Sequence, residues 1–145
     1  MSVAWHSKLS GAHLPAHMLE KILYLAVRFL AALILFQTLY FKFGASPESV
    51  YIFTTVGMEP WGRIGVGVAE LVATILLLLN RTAWLGAALA LGLMVGAIGM
   101  HLTLLGIEVQ GDGGYLFLLA WVVTLCSGYV LVVNRKRILA VVRRG

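Results

Sequence analysis

Four apolar segments separated by more polar stretches dominate the sequence, at about residues 22–42, 62–79, 83–105 and 115–133. A helix of about 20 residues spans about 30 Å, the thickness of the hydrocarbon core of a bilayer. Within that core a chain satisfies its backbone hydrogen bonds only as a helix or a closed barrel. Short connections favour antiparallel neighbours. We therefore predict an all-α transmembrane four-helix bundle with up-down topology.

The composition agrees with a membrane protein and excludes an ordinary soluble domain. Hydrophobic residues make up 61% of the chain and charged residues 12%, whereas a soluble domain averages about 25% charged residues. The sequence predicts three regions: an N-terminal arm over residues 1–21, the four-helix domain over 22–134 and a basic tail over 135–145. In the first long loop, Ser46-Pro47-Glu48 is typical of a helix start, which predicts a short interfacial helix there.

The positive charges predict the orientation of the bundle. Eight lie on the side of the termini and the middle turn, and two lie on the other side: Lys8, Lys21, Arg81, Arg135, Lys136, Arg137, Arg143 and Arg144, against Lys42 and Arg63. Such an excess is typical of cytoplasmic loops, so both termini are predicted to be cytoplasmic. Arg28 is interpreted as snorkelling to the headgroups. The net charge of +5 then reflects topology, with membrane lipid and no nucleic acid as the expected surroundings.

A carboxylate in the second apolar segment is the main candidate for function. An ionised carboxylate in hydrocarbon costs several kcal/mol, so it normally faces protein or a wet cavity. On a helix, Arg63, Gly67, Glu70 and Thr74 share one face. Other polar residues fall in the same outer half of the bundle: Gln37, Tyr40 and His101 within the helices, and Lys42, Glu59, Trp61, Glu108 and Asp112 at the rim. This convergence predicts an outer pocket ending at Glu70.

A structural explanation of Glu70 stays open at this point. Pairing with Arg63 or His101 would satisfy the charges and fix the register of the helices, although burying charges is a poor way to gain stability. The glycines of segment three, in the row Ala88, Gly92 and Gly96, predict close helix packing.

Several other chemistries are disfavoured by the sequence. The single Cys126 provides no dithiol pair. His13 and His17 have the i, i+4 spacing of metal ligands, but Pro15 lies between them and no acidic partner is near, so no metal site is predicted. The glycine-rich run 111–114 follows a helix and lacks the Lys-Ser/Thr pair of a phosphate loop.

Four phrases of the sequence resemble the DoxX family of small four-helix bacterial membrane proteins. They are Tyr40-Phe41-Lys42-Phe43; Glu59-Pro60-Trp61 with Arg63, Gly67, Glu70 and Leu71; Leu93-Met94 with Gly96-Ala97 and His101-Leu102; and Gly111-Asp112-Gly113-Gly114 with Leu116-Phe117 and Leu119-Ala120. The resemblance covers about residues 22–135. It implies a bacterial inner-membrane location and a link to redox or sulfur-stress systems. It does not assign a catalytic role to any particular residue.

The leading hypothesis for function is a redox-associated subunit that binds a quinone or a similar amphiphile in the outer pocket. Glu70 and His101 would handle protons at the head group, Gln37 and Tyr40 would orient it with Thr74 nearby, and Arg63 would tune Glu70. The sequence shows no flavin, iron–sulfur or thiol-pair motif, so a periplasmic or membrane redox partner is expected to supply electrons.

Two alternatives remain. One is a non-catalytic assembly or anchoring subunit, and the other is a small-solute or proton carrier. Whether the protein is an enzyme is left open, as is a homo-oligomer.

Overall fold

The computed structural model describes residues 15–143, which form six helices and no strand. The helices are α1 (Ala16–Phe43), α2 (Pro47–Thr55), α3 (Trp61–Leu78), α4 (Ala83–Met100), α5 (Tyr115–Val133) and α6 (Arg135–Val142), and α4 continues into a π-helical turn, His101–Leu105. Four of them, counting α4 with its π-helical turn, are long and apolar enough to cross a membrane. The predicted all-α bundle is confirmed, and the chain is a multi-pass membrane protein by the length and composition of these helices.

The long helices are arranged in the order α1, α3, α4, α5, with α5 closing against α1. Their shared core is made of small and branched apolar side chains that exclude solvent completely, namely Ala31, Leu35, Ala73, Leu77, Ala87, Ala90, Val123 and Val130. We call the end of the bundle with residues 79–82 and the ends of the described chain the terminal end. The opposite end, with α2 and residues 106–114, is the loop end.

α3 and α4 are in close contact near the terminal end, at Gly86. A Cβ added at Gly86 would lie 2.5 Å from the backbone nitrogen of Leu77 and 2.8 Å from the carbonyl oxygen of Ala73. At Gly92 and Gly96 an added Cβ would meet nothing within 4 Å. The prediction of close packing along Ala88, Gly92 and Gly96 is therefore wrong within this chain, because the close approach is made by Gly86.

The first helix begins earlier than the predicted residue 22. It starts at Ala16, directly after Pro15, and has 28 residues, or about 42 Å of helix at 1.5 Å per residue. Proline fits at a helix start, where its missing N–H would have no partner. The polar residues His17, Glu20 and Lys21 thus belong to the helix, while residues 1–14 of the predicted arm, including His6, His13 and Lys8, lie outside the described residues.

Arg28 is buried and does not snorkel to the bundle surface. It is 3% exposed, and its Nε and Nη2 donate to the carbonyl oxygen of Leu77 at 2.9 and 2.6 Å while Nη1 donates to Oδ1 of Asn80 at 2.8 Å. The guanidinium also lies 5.2 Å from the ring centroid of Tyr24. The predicted snorkelling of Arg28 is therefore corrected. The last turn of α3 leaves carbonyl groups without hydrogen-bond partners within the helix, and Arg28 donates hydrogen bonds to one of them.

The predicted helix in the first loop is present as α2. The Ser46 side chain accepts a hydrogen bond from the Ser49 backbone at 3.3 Å, and Pro47 occupies the first turn. Ser49 and Phe53 are buried against the bundle, so α2 lies over the loop end. The predicted basic tail also contains a helix, α6, none of whose residues is buried.

Candidate functional site

A cavity of about 460 Å³ lies at the loop end, between α1, α2, α3, α4 and α5. Most of its wall is apolar. Its polar and charged lining residues are Gln37, Thr38, Lys42, Ser46, Glu48, Ser49, Glu70, His101, Asp112 and Tyr115. Gly92 and Gly96 of α4 lie in the cavity wall. Beyond it the fully buried core fills the bundle toward the terminal end.

Glu70 is in the cavity wall and is held by two residues of α1. It is 2% exposed, its Oε2 lies 2.9 Å from Nζ of Lys42, and Thr38 lies 2.8 Å from the same oxygen. Neither predicted partner, Arg63 or His101, is hydrogen-bonded to Glu70 in residues 15–143. The expected pairing is therefore corrected: the partner is Lys42, which the sequence placed only at the rim.

The Thr38 hydroxyl has two acceptors within reach and one proton. It lies 2.7 Å from the Leu35 carbonyl and 2.8 Å from Oε2 of Glu70. A hydrogen bond to an ionised acceptor is about twice as strong as a neutral one, so with Lys42 beside the carboxylate the proton is directed to Glu70. The second oxygen, Oε1, receives no hydrogen bond within the described part of the chain.

His101 is placed by the π-helical turn that ends α4. The turn is closed by Gly106, which has a φ of 80°, and the Gly106 carbonyl lies 2.8 Å from Nδ1 of His101. Because a carbonyl only accepts, Nδ1 carries a proton. The ring is 5% exposed and its centroid lies 5.5 Å from that of Phe117. Nε2 has no hydrogen-bond partner among residues 15–143, which leaves it available to a ligand.

Asp112 organises the glycine-rich turn next to His101. Its Oδ1 accepts from the backbone of Val109 at 2.8 Å and Gly114 at 2.9 Å, and its Oδ2 accepts from Leu116 at 2.9 Å. Desolvation raises the pKa of Asp112, but the three N–H donors and the nearby His101 together outweigh it, so its pKa lies below the ordinary value. The donors at the start of α5 are thus already used by a carboxylate, which explains why this run offers no phosphate cradle.

Gln37 has a partner on another helix. Its Nε2 lies 3.5 Å from the hydroxyl of Tyr115 on α5. Both residues line the cavity and are exposed on the bundle, so this long hydrogen bond crosses the gap between α1 and α5. Tyr115 was missed from sequence, where it stands as the first residue of an apolar segment with no polar neighbour on its own helix face.

Arg63 belongs to a separate ion pair outside the cavity lining. Its guanidinium lies 2.7–2.9 Å from the carboxylate oxygens of Glu59, four residues earlier, and it also donates to the carbonyl of Lys42. The prediction that Arg63 tunes Glu70 directly is therefore corrected. Arg63 instead fixes the end of α1 on which Lys42 stands.

Other predicted site residues lie away from the cavity. Tyr40 is 80% exposed on the bundle surface, and Thr74 is buried with its hydroxyl donating to the Glu70 carbonyl at 2.8 Å. Their predicted ligand contacts are wrong for this cavity, because one points outward and the other is occupied within its helix. Trp61 is 80% exposed and Glu108 is also exposed at the loop end.

The described residues contain no group of three His, Cys, Asp or Glu side chains that could hold a metal ion. The polar groups of the cavity are suited to hydrogen bonding and proton exchange, and most of its wall is suited to apolar contacts.

No protein-family model, curated protein or solved structure matches this chain. The resemblance to the DoxX family stays a prediction carried by the four phrases of the sequence.

Proposed function

We propose that this protein is a redox-associated membrane subunit that binds a quinone or a similar amphiphile in the loop-end cavity. The observation that carries the proposal is that Glu70 and His101, far apart in sequence and each almost fully buried, line one cavity of about 460 Å³. Ligand sites are typically apolar cavities of about 300–1,000 Å³ with a few convergent polar groups. In this proposal both residues bind the head group.

The charges of the cavity favour an uncharged head group over an anionic one. Glu70, Glu48 and Asp112 bring three carboxylates to the lining, while Lys42 brings one ammonium that is already paired with Glu70. An anionic headgroup would meet a like charge at this depth. A neutral aromatic head with an apolar tail avoids that cost, and a quinone belongs to this class.

The setting of the proposed subunit follows the sequence. The resemblance to the DoxX family supports a bacterial inner membrane and a redox role, and the excess of positive charge at the terminal end supports cytoplasmic termini. The cavity would then open to the outer side. Electrons would come from a partner protein.

The alternative is a non-catalytic anchoring subunit, and one observation favours it. Oε2 of Glu70 is held by both Lys42 and Thr38, so this cluster also fastens α1 to α3 without any ligand. A carrier ranks third. It would need a polar route to the terminal end, and most side chains of the core between the cavity and that end are buried and apolar.

The test is extraction of bound lipophiles from protein purified in mild detergent, followed by mass spectrometry. The variant Gly96→Leu places a side chain in the cavity, and Gly99→Leu is its matched control, because Gly99 lies on the same helix outside the lining and has the same open space around it. We expect a quinone in about stoichiometric amount with the wild type and Gly99→Leu, and its loss from Gly96→Leu. Absence from the wild type, even after a short-chain quinone is added back, would leave the anchoring alternative.

A further inference from the structure

The polar atoms left unpaired around Glu70 and His101 are both hydrogen-bond acceptors. Oε1 of Glu70 is the oxygen that Lys42 and Thr38 do not contact. Nε2 of a neutral His101 is an acceptor because Nδ1 carries the ring proton toward the Gly106 carbonyl. Within residues 15–143, Ser127 Oγ is the single side-chain N or O atom that is fully buried without a partner. Oε1 of Glu70 and Nε2 of His101, which also have no partner, are therefore not fully buried.

The two donors that contact Glu70 are already committed. The Thr38 proton is directed to Oε2 of Glu70, and the Lys42 ammonium is paired with the same oxygen. Lys42 keeps further N–H groups, but it lies one helical turn nearer the loop end than Thr38, and its side chain is 15% exposed. Asp112 has its acceptors filled by three backbone N–H groups. The unpaired atoms of Glu70 and His101 therefore favour a ligand that donates hydrogen bonds.

We infer that the cavity selects the reduced, dihydroxy form of its ligand, a quinol, over the oxidised, dicarbonyl form. This inference rests on the proposed function. A quinol hydroxyl donates to Glu70 or His101, whereas a quinone carbonyl only accepts and would leave those acceptors unpaired. A buried group left unpaired costs its full desolvation, and hydrogen bonds to charged groups are the stronger ones, so we expect a preference of about tenfold or more.

The experiment measures the dissociation constants of decylubiquinol and decylubiquinone for the purified full chain in mild detergent, without oxygen. The wild type is expected to bind the quinol about tenfold more tightly. For a two-electron couple, tenfold tighter binding of the reduced form raises the bound midpoint potential by about 30 mV, which redox titration of the bound couple checks independently.

Two variants test the assignment of the acceptors. Glu70→Gln keeps the shape and adds an amide donor, so the ratio of the two constants is expected to fall toward one or to invert. His101→Asn keeps a donor for the Gly106 carbonyl and removes Nε2, which covers the case in which Glu70→Gln does not fold. Gly99→Leu is the control and is expected to keep the wild-type ratio, since Gly99 is outside the lining.

The outcomes separate this inference from the function on which it rests. Tighter binding of the quinol together with a reduced ratio in either folded variant supports the inference. Binding of the quinone as tightly as the quinol overturns it and leaves the proposed function standing, with Lys42 or an imidazolium at His101 as the dominant donor. Binding of neither form by the folded wild type overturns both.

Discussion

Two nitrogens of Arg28, on α1, donate hydrogen bonds of 2.9 and 2.6 Å to the carbonyl oxygen of Leu77 in the last turn of α3. A cation at a helix C-terminus also complements the helix dipole. The planar guanidinium reaches the Leu77 carbonyl and Asn80 at the same time, so a single buried side chain connects the first helix, the third helix and the turn that follows it.

The geometry of this contact predicts that lysine cannot replace Arg28. Arg28→Lys keeps the charge but loses the planar fork of donors, and we expect it to lower the free energy of unfolding by about 2–4 kcal/mol, since it leaves buried groups without partners. Thermal unfolding in detergent, followed by circular dichroism, measures the change. Arg137→Lys is the control, because Arg137 is exposed and makes one hydrogen bond of 3.4 Å. Equal small effects of the two variants would contradict the prediction.

The Lys42–Glu70 pair predicts strong coupling between two substitutions. Lys42→Met leaves Glu70, at 2% exposure, without its counter-ion, and we expect a loss of about 3–5 kcal/mol. Adding Glu70→Gln removes the buried charge, so the double variant should recover part of that stability. A double-mutant cycle on the free energy of unfolding gives the coupling, expected at about 1–3 kcal/mol. Additive effects would mean that the two side chains do not interact.

Replacement by alanine is expected to have opposite effects on stability at two glycines of α4. Gly86→Ala forces a Cβ to within 2.5 Å of the Leu77 backbone, so we expect a marked loss of thermal stability. Gly92→Ala meets open space and removes a helix-destabilising glycine, for an expected gain of about 0.5–1 kcal/mol. Both variants are measured by the same unfolding experiment, and a stable Gly86→Ala protein would show that α3 and α4 are not in close contact there.

Asp112 predicts a dependence of stability on pH. Its pKa in the folded protein is lowered below the ordinary 3.8, so the unfolded chain binds a proton more readily. The contribution of Asp112 is therefore fully present above the ordinary value and is lost as the pH falls through the folded value. Free energies of unfolding between about pH 5 and pH 2 should decline more steeply for the wild type than for Asp112→Asn. If the free energies of the wild type and Asp112→Asn declined in parallel, Asp112 would not be the cause of the loss of stability at low pH.

The helices and the region of the cavity could be predicted from sequence because both follow from one segment at a time. Length and apolarity define each spanning helix, and a carboxylate such as Glu70 stands out within its own segment. The same reasoning placed His101 and Gln37 at the depth where the cavity lies. Each of these inferences needs only the position of a residue along its helix.

The partners could not be predicted, because they depend on how each helix is rotated about its axis relative to its neighbours. Lys42 looked like a rim residue, yet its long side chain reaches back to Glu70 on α3. Arg28 and Tyr40 were misplaced for the same reason, one turned into the bundle and the other turned out. The spacing of Thr38 and Lys42, four residues apart on one face of α1, was the available signal for a polar cluster.

The absence of a side chain at Gly86 has a consequence for the evolution and engineering of this bundle. Gly86 and Gly96 are ten residues apart along α4, or about 15 Å. Gly96 lies in the cavity wall, whereas Gly86 lies against α3 outside the lining. A larger residue at position 86 would push α4 away from α3, so we expect the part of the cavity wall that α4 provides to be adjustable from a position that does not line the cavity.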